Sequence, residues 1–244
     1  MNVIDLFSGV GGFSSGLSKA GYNILLANEI DAQISESYKK NHKKTLMINA
    51  DITDFIDDFD SLIDRNLKEQ KINATKFKKE LQNIDLVVGG PPCQGFSMAG
   101  GRIRKENEFI DDPRNYLFKQ YFKVIQKFEP QNFIFENVVG ISSMNGGAIL
   151  KEIEKLFTTK KNFKKGKYYL QKKVFNANEF GVPQRRKRFI LIGSKKPFEL
   201  ETSIKQTYSK FKKFSIDNNI EDAILDLAFE NEKQYIDNQE YLIK

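Results

Sequence analysis

The chain has 244 residues, a net charge of +7, one cysteine and one histidine. This length is sufficient for one sizeable α/β domain. The lack of any run of about 18 apolar residues argues against a transmembrane helix, and no signal peptide is expected because the first residues lack a basic region followed by an apolar one. A lone cysteine excludes an intrachain disulfide framework and is typical of cytoplasmic proteins. Because the chain has only one cysteine and one histidine, and structural zinc takes four Cys or His ligands, no metal site is expected.

The positive charge is concentrated in one part of the sequence. Residues 155–213 contain 18 Lys and Arg against 3 Asp and Glu. A basic block of this density suggests a polyanionic partner such as nucleic acid. The alternative is a lysine-rich face that is merely solvated, and charge alone does not decide between the two.

The first predicted elements are a strand, a glycine-rich turn and a helix. Residues 3–7 predict the strand, residues 8–12 the turn, and residues 13–20 a helix that Gly21 ends. Such a turn offers backbone N–H groups and a helix N-terminus to a nucleotide-like ligand. It is not the dinucleotide-binding fingerprint, because Ser14 stands where that pattern has Gly or Ala.

Two acidic residues follow the next two predicted strands. The strand over 23–27 leads into Glu29, about 20 residues beyond the glycine turn, where a carboxylate can accept hydrogen bonds from both hydroxyls of a ribose. Residues 47–50 lead to Asp51 and Ile52, which could accept a hydrogen bond from an adenine amino group and pack against its ring. The alternative for Glu29 is a solvated loop charge. Beyond these strands, amphipathic helices that serve packing are expected over residues 54–82.

The stretch 86–97 carries the only cysteine. Residues 86–88 predict a buried strand, which two glycines and two prolines end abruptly. Cys93 follows, at the carboxyl end of a strand, where open α/β sheets bind ligands. A lone cysteine is otherwise a small buried hydrophobe, but the Gly-Gly-Pro-Pro frame and the glycine-rich loop after it favour a reactive thiol.

A glutamate follows the next predicted strand. A helix over residues 116–128 precedes the strand over 133–135, which delivers Glu136 directly after three core residues. Burying a carboxylate without a partner is costly, so Glu136 is either a functional residue or an ion-paired structural one.

The last predicted strands enclose a cluster of basic residues. Strands are expected over 168–175 and 189–193, with the segment 184–188 between them. Arg186 and Arg188 in that segment share one face if it is extended.

Together these segments resemble the motifs of the C5-cytosine DNA methyltransferases, in the same order, over about residues 3–193. The resembling segments are 5–12 (the S-adenosylmethionine loop), Glu29 with Asp51-Ile52 (the ribose and adenine contacts), Pro92-Cys93-Gln94 (the nucleophile loop), Glu136-Asn137-Val138, and 184–188. The resemblance implies a class I S-adenosylmethionine-dependent methyltransferase fold, which is Rossmann-like, with a mostly parallel twisted sheet and helices on both faces. It also implies a catalytic domain over residues 1–200 and a tail over residues 201–244.

The resemblance assigns roles to individual residues. Cys93 would be the nucleophile that adds to C6 of a flipped-out cytosine, Glu136 would hold the base, and Arg188, supported by Arg186, would reach its O2 atom. The residues implied in binding S-adenosylmethionine are Phe7, Ser8, Gly9, Val10, Gly11, Gly12, Glu29, Ile30, Asp51, Ile52, Gly90, Pro92 and Leu117. Those implied in contacting DNA are Ser97, Arg114 and Gln184.

Two departures from the family pattern bear on function. Ile30 stands where many relatives carry a tryptophan that stacks on the adenine, which predicts weaker cofactor binding. The segment 220–227 resembles the one that precedes the target-recognition region, and neither that region nor the closing Gly-Asn motif follows it. The sequence therefore suggests either a truncated copy or one subunit of a split methyltransferase. In the second case, a second polypeptide would supply the target-recognition domain and the closing motif, and the acidic segment 214–244 could dock it.

Three functions are compatible with the sequence. The first is a DNA cytosine-C5 methyltransferase that acts on double-stranded DNA in a restriction-modification setting. The second is a tRNA cytosine methyltransferase, although relatives that modify RNA tend to carry Thr where Ser97 stands. The third is a catalytically idle DNA-binding or assembly subunit, against which the intact Cys93, Glu136 and Arg188 argue.

Overall fold

The computed structural model describes residues 1–92, 117–182, 184–202 and 204. Three of the predicted site residues, Cys93, Ser97 and Arg114, lie outside the described residues, as does most of the segment 201–244. Among the helices of the described ranges, none is long and apolar enough to cross a membrane.

A seven-stranded sheet forms the centre of the described part of the chain. Its strands, in chain order, are β1 Asn2–Leu6, β2 Asn23–Glu29, β3 Leu46–Asn49, β4 Leu86–Gly89, β5 Asn132–Asn137, β6 Tyr169–Asn176 and β7 Lys187–Ser194. The spatial order is β3-β2-β1-β4-β5-β7-β6. The pairs β2–β3, β1–β2, β1–β4 and β4–β5 are parallel, whereas β5 and β7 are antiparallel. The predicted mostly parallel α/β sheet is thereby confirmed.

Seven α-helices connect the described strands. They are α1 Gly12–Lys19, α2 Ala32–Asn41, α3 Ile52–Asp57, α4 Phe59–Glu69, α5 Ala74–Leu81, α6 Leu117–Phe128 and α7 Ala148–Thr158. Short 3-10 turns cover Val139–Ser142, Met144–Gly147, Lys160–Asn162 and Ala177–Phe180. The helices predicted over 13–20, 54–82 and 116–128 are all present, whereas α2 and α7 were not predicted.

Each face of the sheet has its own hydrophobic core, because successive residues of a strand point to opposite sides. In β1, Ile4 and Leu6 join the large hydrophobic core, whereas Val3 joins a smaller one together with Val88 of β4. The large core contains a group of buried aromatic rings in T-shaped and tilted contact, which are Tyr121, Phe133, Phe135, Phe157, Phe163 and Tyr168. Helices on both faces bring the carboxyl ends of β1 to β5 to one edge of the sheet, where the site lies.

The chain divides into two compact units. The first comprises residues 1–174 and 188–200 and holds nearly all of the sheet. The second comprises residues 175–187 and 201–244. In its described part, the N–H group of Ala177 donates to the carbonyl of Arg186 (3.0 Å), and Gly181 adopts a left-handed conformation with φ of 84°.

Candidate active site

The glycine-rich turn after β1 is held by hydrogen bonds from its own backbone. The N–H group of Ser8 donates to the carbonyl of Asn28 (3.0 Å), and that of Gly11 donates back to Ser8 (2.9 Å). Phe7 has a φ of 54°, which is uncommon for a residue with a side chain and stores strain at the start of the turn. Gly11 has a φ of 95°, and a Cβ atom at this position would collide with the ring of His42.

Glu29, at the end of β2, connects the turn to the next helix. Its Oε2 atom accepts a hydrogen bond from the N–H group of Gly9 (2.9 Å), and its Oε1 atom accepts one from Asp31 (3.0 Å). An ionised carboxylate offers about four lone-pair positions, so these two bonds leave capacity for hydroxyl donors from a ligand. Asp31 in turn caps α2 by accepting from the N–H groups of Gln33 and Ile34.

A cavity of about 240 Å³ lies at the carboxyl ends of the strands. Its lining residues are Phe7, Asn28, Glu29, Ile30, Ala50, Asp51, Ile52, Gly90, Pro92 and Leu117. Eight of them are residues that the family resemblance assigned to the cofactor, all except Asn28 and Ala50. Of the other predicted cofactor residues, Ser8 and the segment 9–12 do not line this cavity but are joined to it through the bond from Gly9 to Glu29.

Asn28 is a site residue that sequence reasoning missed. Its side chain is buried and donates to the carbonyls of Ile48 (3.2 Å) and Ala50 (2.9 Å). In the opposite direction, the side chain of Asn49 donates to the carbonyls of Glu29 and Ile30 (both 2.9 Å). These two side chains join the ends of β2 and β3. The available signal was a polar residue that directly follows an apolar strand.

Asp51 and Ile52 occupy the third strand end, as predicted. Asp51 caps α3, and its Oδ1 atom accepts from the N–H group of Thr53 (2.7 Å). Ile52 is buried, and it lines the cavity together with Ile30, which is 64% exposed. The cavity therefore combines two carboxylates with aliphatic surface, which suits a ligand with a ring and several hydrogen-bond donors.

Glu136 and Arg188 meet at the end of β5. The Oε1 atom of Glu136 accepts from Nε of Arg188 (2.7 Å), and both side chains are about one-quarter exposed, at 24% and 27%. The antiparallel register that pairs Asn137 with Phe189 brings the two together. Glu136 is thus ion-paired, and the pair is open enough for a ligand to reach.

Gly90 lies against the Glu136 carboxylate and also lines the cavity. A Cβ atom at Gly90 would lie only 2.8 Å from Oε2 of Glu136, and the same residue lines the cavity. Only a glycine allows the carboxylate to lie so close to the chain that leads towards Cys93. Asn137 strengthens this junction, because its buried side chain donates to the carbonyl of Pro91 (3.1 Å).

Arg186 and Gln184 belong to the second unit, where both are exposed. The N–H group of Arg186 donates to the carbonyl of Gln184 (2.9 Å). Their predicted contacts with the base and with DNA therefore stay predictions.

A further carboxylate is buried in β1, two residues before the turn begins. Asp5 is fully buried, and its Oδ2 atom accepts from the hydroxyl of Ser14 (2.6 Å). Among the described residues, its Oδ1 atom has no hydrogen-bond partner. Burial raises the pKa of Asp5 to about 7; the bonds from Ser14 oppose this rise, and the nearby Glu29 adds to it.

Comparisons with known proteins agree on one family. The family model described as C-5 cytosine-specific DNA methylase matches residues 1–243. The type II methyltransferase M1.HphI of Haemophilus parahaemolyticus is 40% identical over 195 residues, which are 80% of this chain and 46% of that protein. M.DdeI of Desulfomicrobium norvegicum is 37% identical, covering 93% of this chain and 48% of that protein. M.AquIA of Picosynechococcus is 35% identical, covering 79% and 71%. The chain thus spans about half the length of the first two of these relatives.

Solved structures show the same relationship. A prophage-encoded DNA modification methyltransferase of E. coli superposes with a TM-score of 0.58 at 30% identity, covering 84% of this chain and 48% of that one. The Dnmt2 methyltransferase of S. pombe has a TM-score of 0.57 at 23% identity, covering 84% and 55%, which is a likeness of fold alone. The fold is therefore the Rossmann-like fold of these methyltransferases, and the chain belongs to the C-5 cytosine-specific DNA methylase family.

Proposed function

We propose that this chain is the catalytic part of a type II DNA cytosine-C5 methyltransferase, which transfers a methyl group from S-adenosylmethionine to C5 of cytosine. The observation that carries this proposal is the position of Gly90. This one residue touches the Glu136 carboxylate and also lines the strand-end cavity. A base held by Glu136 and a methyl donor in the cavity would then be neighbours, as direct transfer between them requires.

The residues of the cavity fit S-adenosylmethionine. Glu29 keeps accepting capacity for the two ribose hydroxyls beyond its bonds to Gly9 and Asp31. Asp51 would accept from the adenine amino group, while Ile30 and Ile52 supply aliphatic surface for the ring. When bound, the cofactor supplies an electrophilic methyl group on its sulfonium sulfur.

Cys93 is the proposed nucleophile. Its thiolate would add to C6 of the cytosine, and the electron pair displaced from the C5–C6 double bond would make C5 able to attack the methyl group. Loss of the C5 proton and departure of the Cys93 sulfur would then restore the ring as 5-methylcytosine. The target carbon is inaccessible inside a duplex, so the base must be flipped out.

Glu136 and Arg188 would hold the flipped base. Glu136 would contact N3 and the exocyclic amine, which offsets the charge that develops as the thiolate adds. Arg188, which pairs with Glu136 through its Nε atom, would donate a hydrogen bond to the O2 atom of the base. Arg186 would support this arrangement, and Ser97, Arg114 and Gln184 would contact the DNA.

We further propose that residues 1–200 form the catalytic domain, that residues 201–244 form a tail, and that a second polypeptide provides target recognition. The support for the second polypeptide is charge, because residues 214–244 contain 2 Lys against 8 Asp and Glu and could bind a basic partner. Phosphate contacts position a protein on DNA but carry no sequence information. The chain alone is therefore expected to methylate DNA feebly, and a recognition polypeptide should restore site-specific activity. Strong, site-specific methylation by the chain alone would refute this part of the proposal.

The test of the reaction is transfer of a labelled methyl group to duplex DNA and to tRNA, in the presence of the recognition polypeptide. Label should enter DNA, and Glu136→Gln should reduce the rate at least about 100-fold, the lower end for loss of one transition-state hydrogen-bonding group. The matched control is Glu152→Gln, which removes a half-exposed glutamate that is ion-paired to Lys119 (3.1 Å) outside the site. Label that enters only tRNA would favour the RNA-modifying alternative, and equal rates in both variants would remove Glu136 from the site.

A further inference from the structure

The N-terminus of α1 lacks a cap of its own. Its N-cap residue is Gly11, which has no side chain, and the first turn of the helix holds no acidic residue. The first N–H groups of a helix need partners, and a negative group near them is stabilising. In this chain a carboxylate from the preceding strand reaches that first turn, because Asp5 accepts a hydrogen bond from the hydroxyl of Ser14 (2.6 Å). The strand before the glycine turn and the helix after it are thus joined directly.

Helix α2 joins the same network through Tyr38. The Tyr38 hydroxyl lies 2.6 Å from the hydroxyl oxygen of Ser14, and the residue is fully buried. Ser14 has a single hydroxyl proton and gives it to Asp5, so Tyr38 is the donor in this bond. Burial raises the pKa of Tyr38, which keeps it a donor across the physiological range.

His42 contacts the turn itself. Its ring packs on Tyr38 with centroids 4.5 Å apart, and the same ring lies directly against Gly11. Gly11 packs against both rings, because a Cβ atom there would collide with His42 and would lie 3.0 Å from Tyr38. One side of the glycine turn therefore rests on α2.

We propose that Tyr38, acting through Ser14 and Asp5, is a positioning residue that holds the glycine turn in the geometry that binds the cofactor. This inference rests on the proposed function, since it concerns the same cofactor site. Tyr38 does not line the cavity; it packs against the turn at Gly11, and the N–H group of Gly9 in the same turn orients Glu29. Freeing α1 from α2 lets the turn take other conformations, and the binding-competent fraction falls.

The test is calorimetric titration of S-adenosylhomocysteine into the full chain and its variants. Tyr38→Phe and Ser14→Ala should each weaken binding about tenfold, the effect of one lost hydrogen bond. Both variants break the same chain of hydrogen bonds. The Kd of the double variant should therefore be at most about twofold higher than that of the single variant that binds more weakly. In the methyl-transfer assay the KM for the cofactor should rise while kcat stays within about twofold.

Tyr168→Phe is the matched control. Tyr168 is also a fully buried tyrosine, and its hydroxyl donates to the carbonyl of Pro130 (2.7 Å). Removing it should lower the melting temperature as Tyr38→Phe does, and should leave the cofactor Kd unchanged. Wild-type affinity in Tyr38→Phe, or fully additive losses in the double variant, would overturn the positioning role. If the wild-type chain bound no cofactor even with the recognition polypeptide present, the proposed function would fail instead.

Discussion

Replacing Asp5 with asparagine should remove a loss of stability that the wild-type chain suffers between about pH 4 and pH 7. The pKa of Asp5 is raised by burial from 3.8 to about 7. Within this window the folded chain keeps a proton that the unfolded chain has released. The unfolded state is therefore stabilised relative to the folded state as the pH rises, and the loss of folding stability is complete above pH 7.

The size of the effect follows from the distance between the two pKa values. They lie about three pH units apart, and each unit corresponds to about 1.4 kcal/mol. The free energy of unfolding should therefore fall by about 4 kcal/mol because of this one group. Asparagine has nearly the same shape and keeps an oxygen that can accept from Ser14. The stability of Asp5→Asn relative to wild type should accordingly rise by about 4 kcal/mol from pH 4 to pH 8.

Urea unfolding of both chains at several pH values measures this difference directly. Asp64→Asn is the control, because it removes an exposed carboxylate that pairs with Lys78 (2.6 Å), and exposed pairs contribute less than about 1 kcal/mol. A stability difference between Asp5→Asn and wild type that stays constant across the range would contradict the reasoning, since Asp5 would then titrate alike in both states.

Three further predictions concern the cofactor and DNA. Glu29→Gln should weaken S-adenosylhomocysteine binding by about 1–3 kcal/mol, because it removes a charged acceptor from the ribose hydroxyls; unchanged affinity in calorimetry would remove Glu29 from the site. Ile30→Trp should strengthen the same binding by about 0.5–1.5 kcal/mol through stacking, since Ile30 is an exposed aliphatic residue at the cavity; equal or weaker binding would argue against adenine at this position. Affinity for duplex DNA should fall steeply with salt if the basic block 155–213 contacts phosphates, and a flat response in a binding titration would mean that these lysines are only solvated.

The strand ends could be predicted because their signal is local. An apolar run followed by an acid, as at Glu29, Asp51 and Glu136, indicates both the strand and the position of its carboxyl end. Parallel connections then bring these ends to one edge of the sheet. Of the ten residues that line the cavity, this pattern named Glu29, Asp51 and Ile52, and the family resemblance named five more.

Other features depend on pairings between distant segments. Helix α2 buries only two residues, Ser35 and Tyr38, so its sequence shows little apolar periodicity. The bond between Ser14 and Tyr38 spans 24 positions, and nothing in either local pattern predicts it. The contact of Arg188 with Glu136 depends on the antiparallel register of β7 against β5, which the parallel pattern of the earlier strands did not indicate.

The most direct test of the central claim is the chemical identity of the methylated nucleoside. DNA would be incubated with labelled S-adenosylmethionine, the chain and the recognition polypeptide, then digested to nucleosides for mass spectrometry. Label is expected in 5-methylcytosine, and none is expected there when Cys93 is replaced by alanine. Label in a methylated adenine, or 5-methylcytosine formed undiminished by Cys93→Ala, would contradict the central claim.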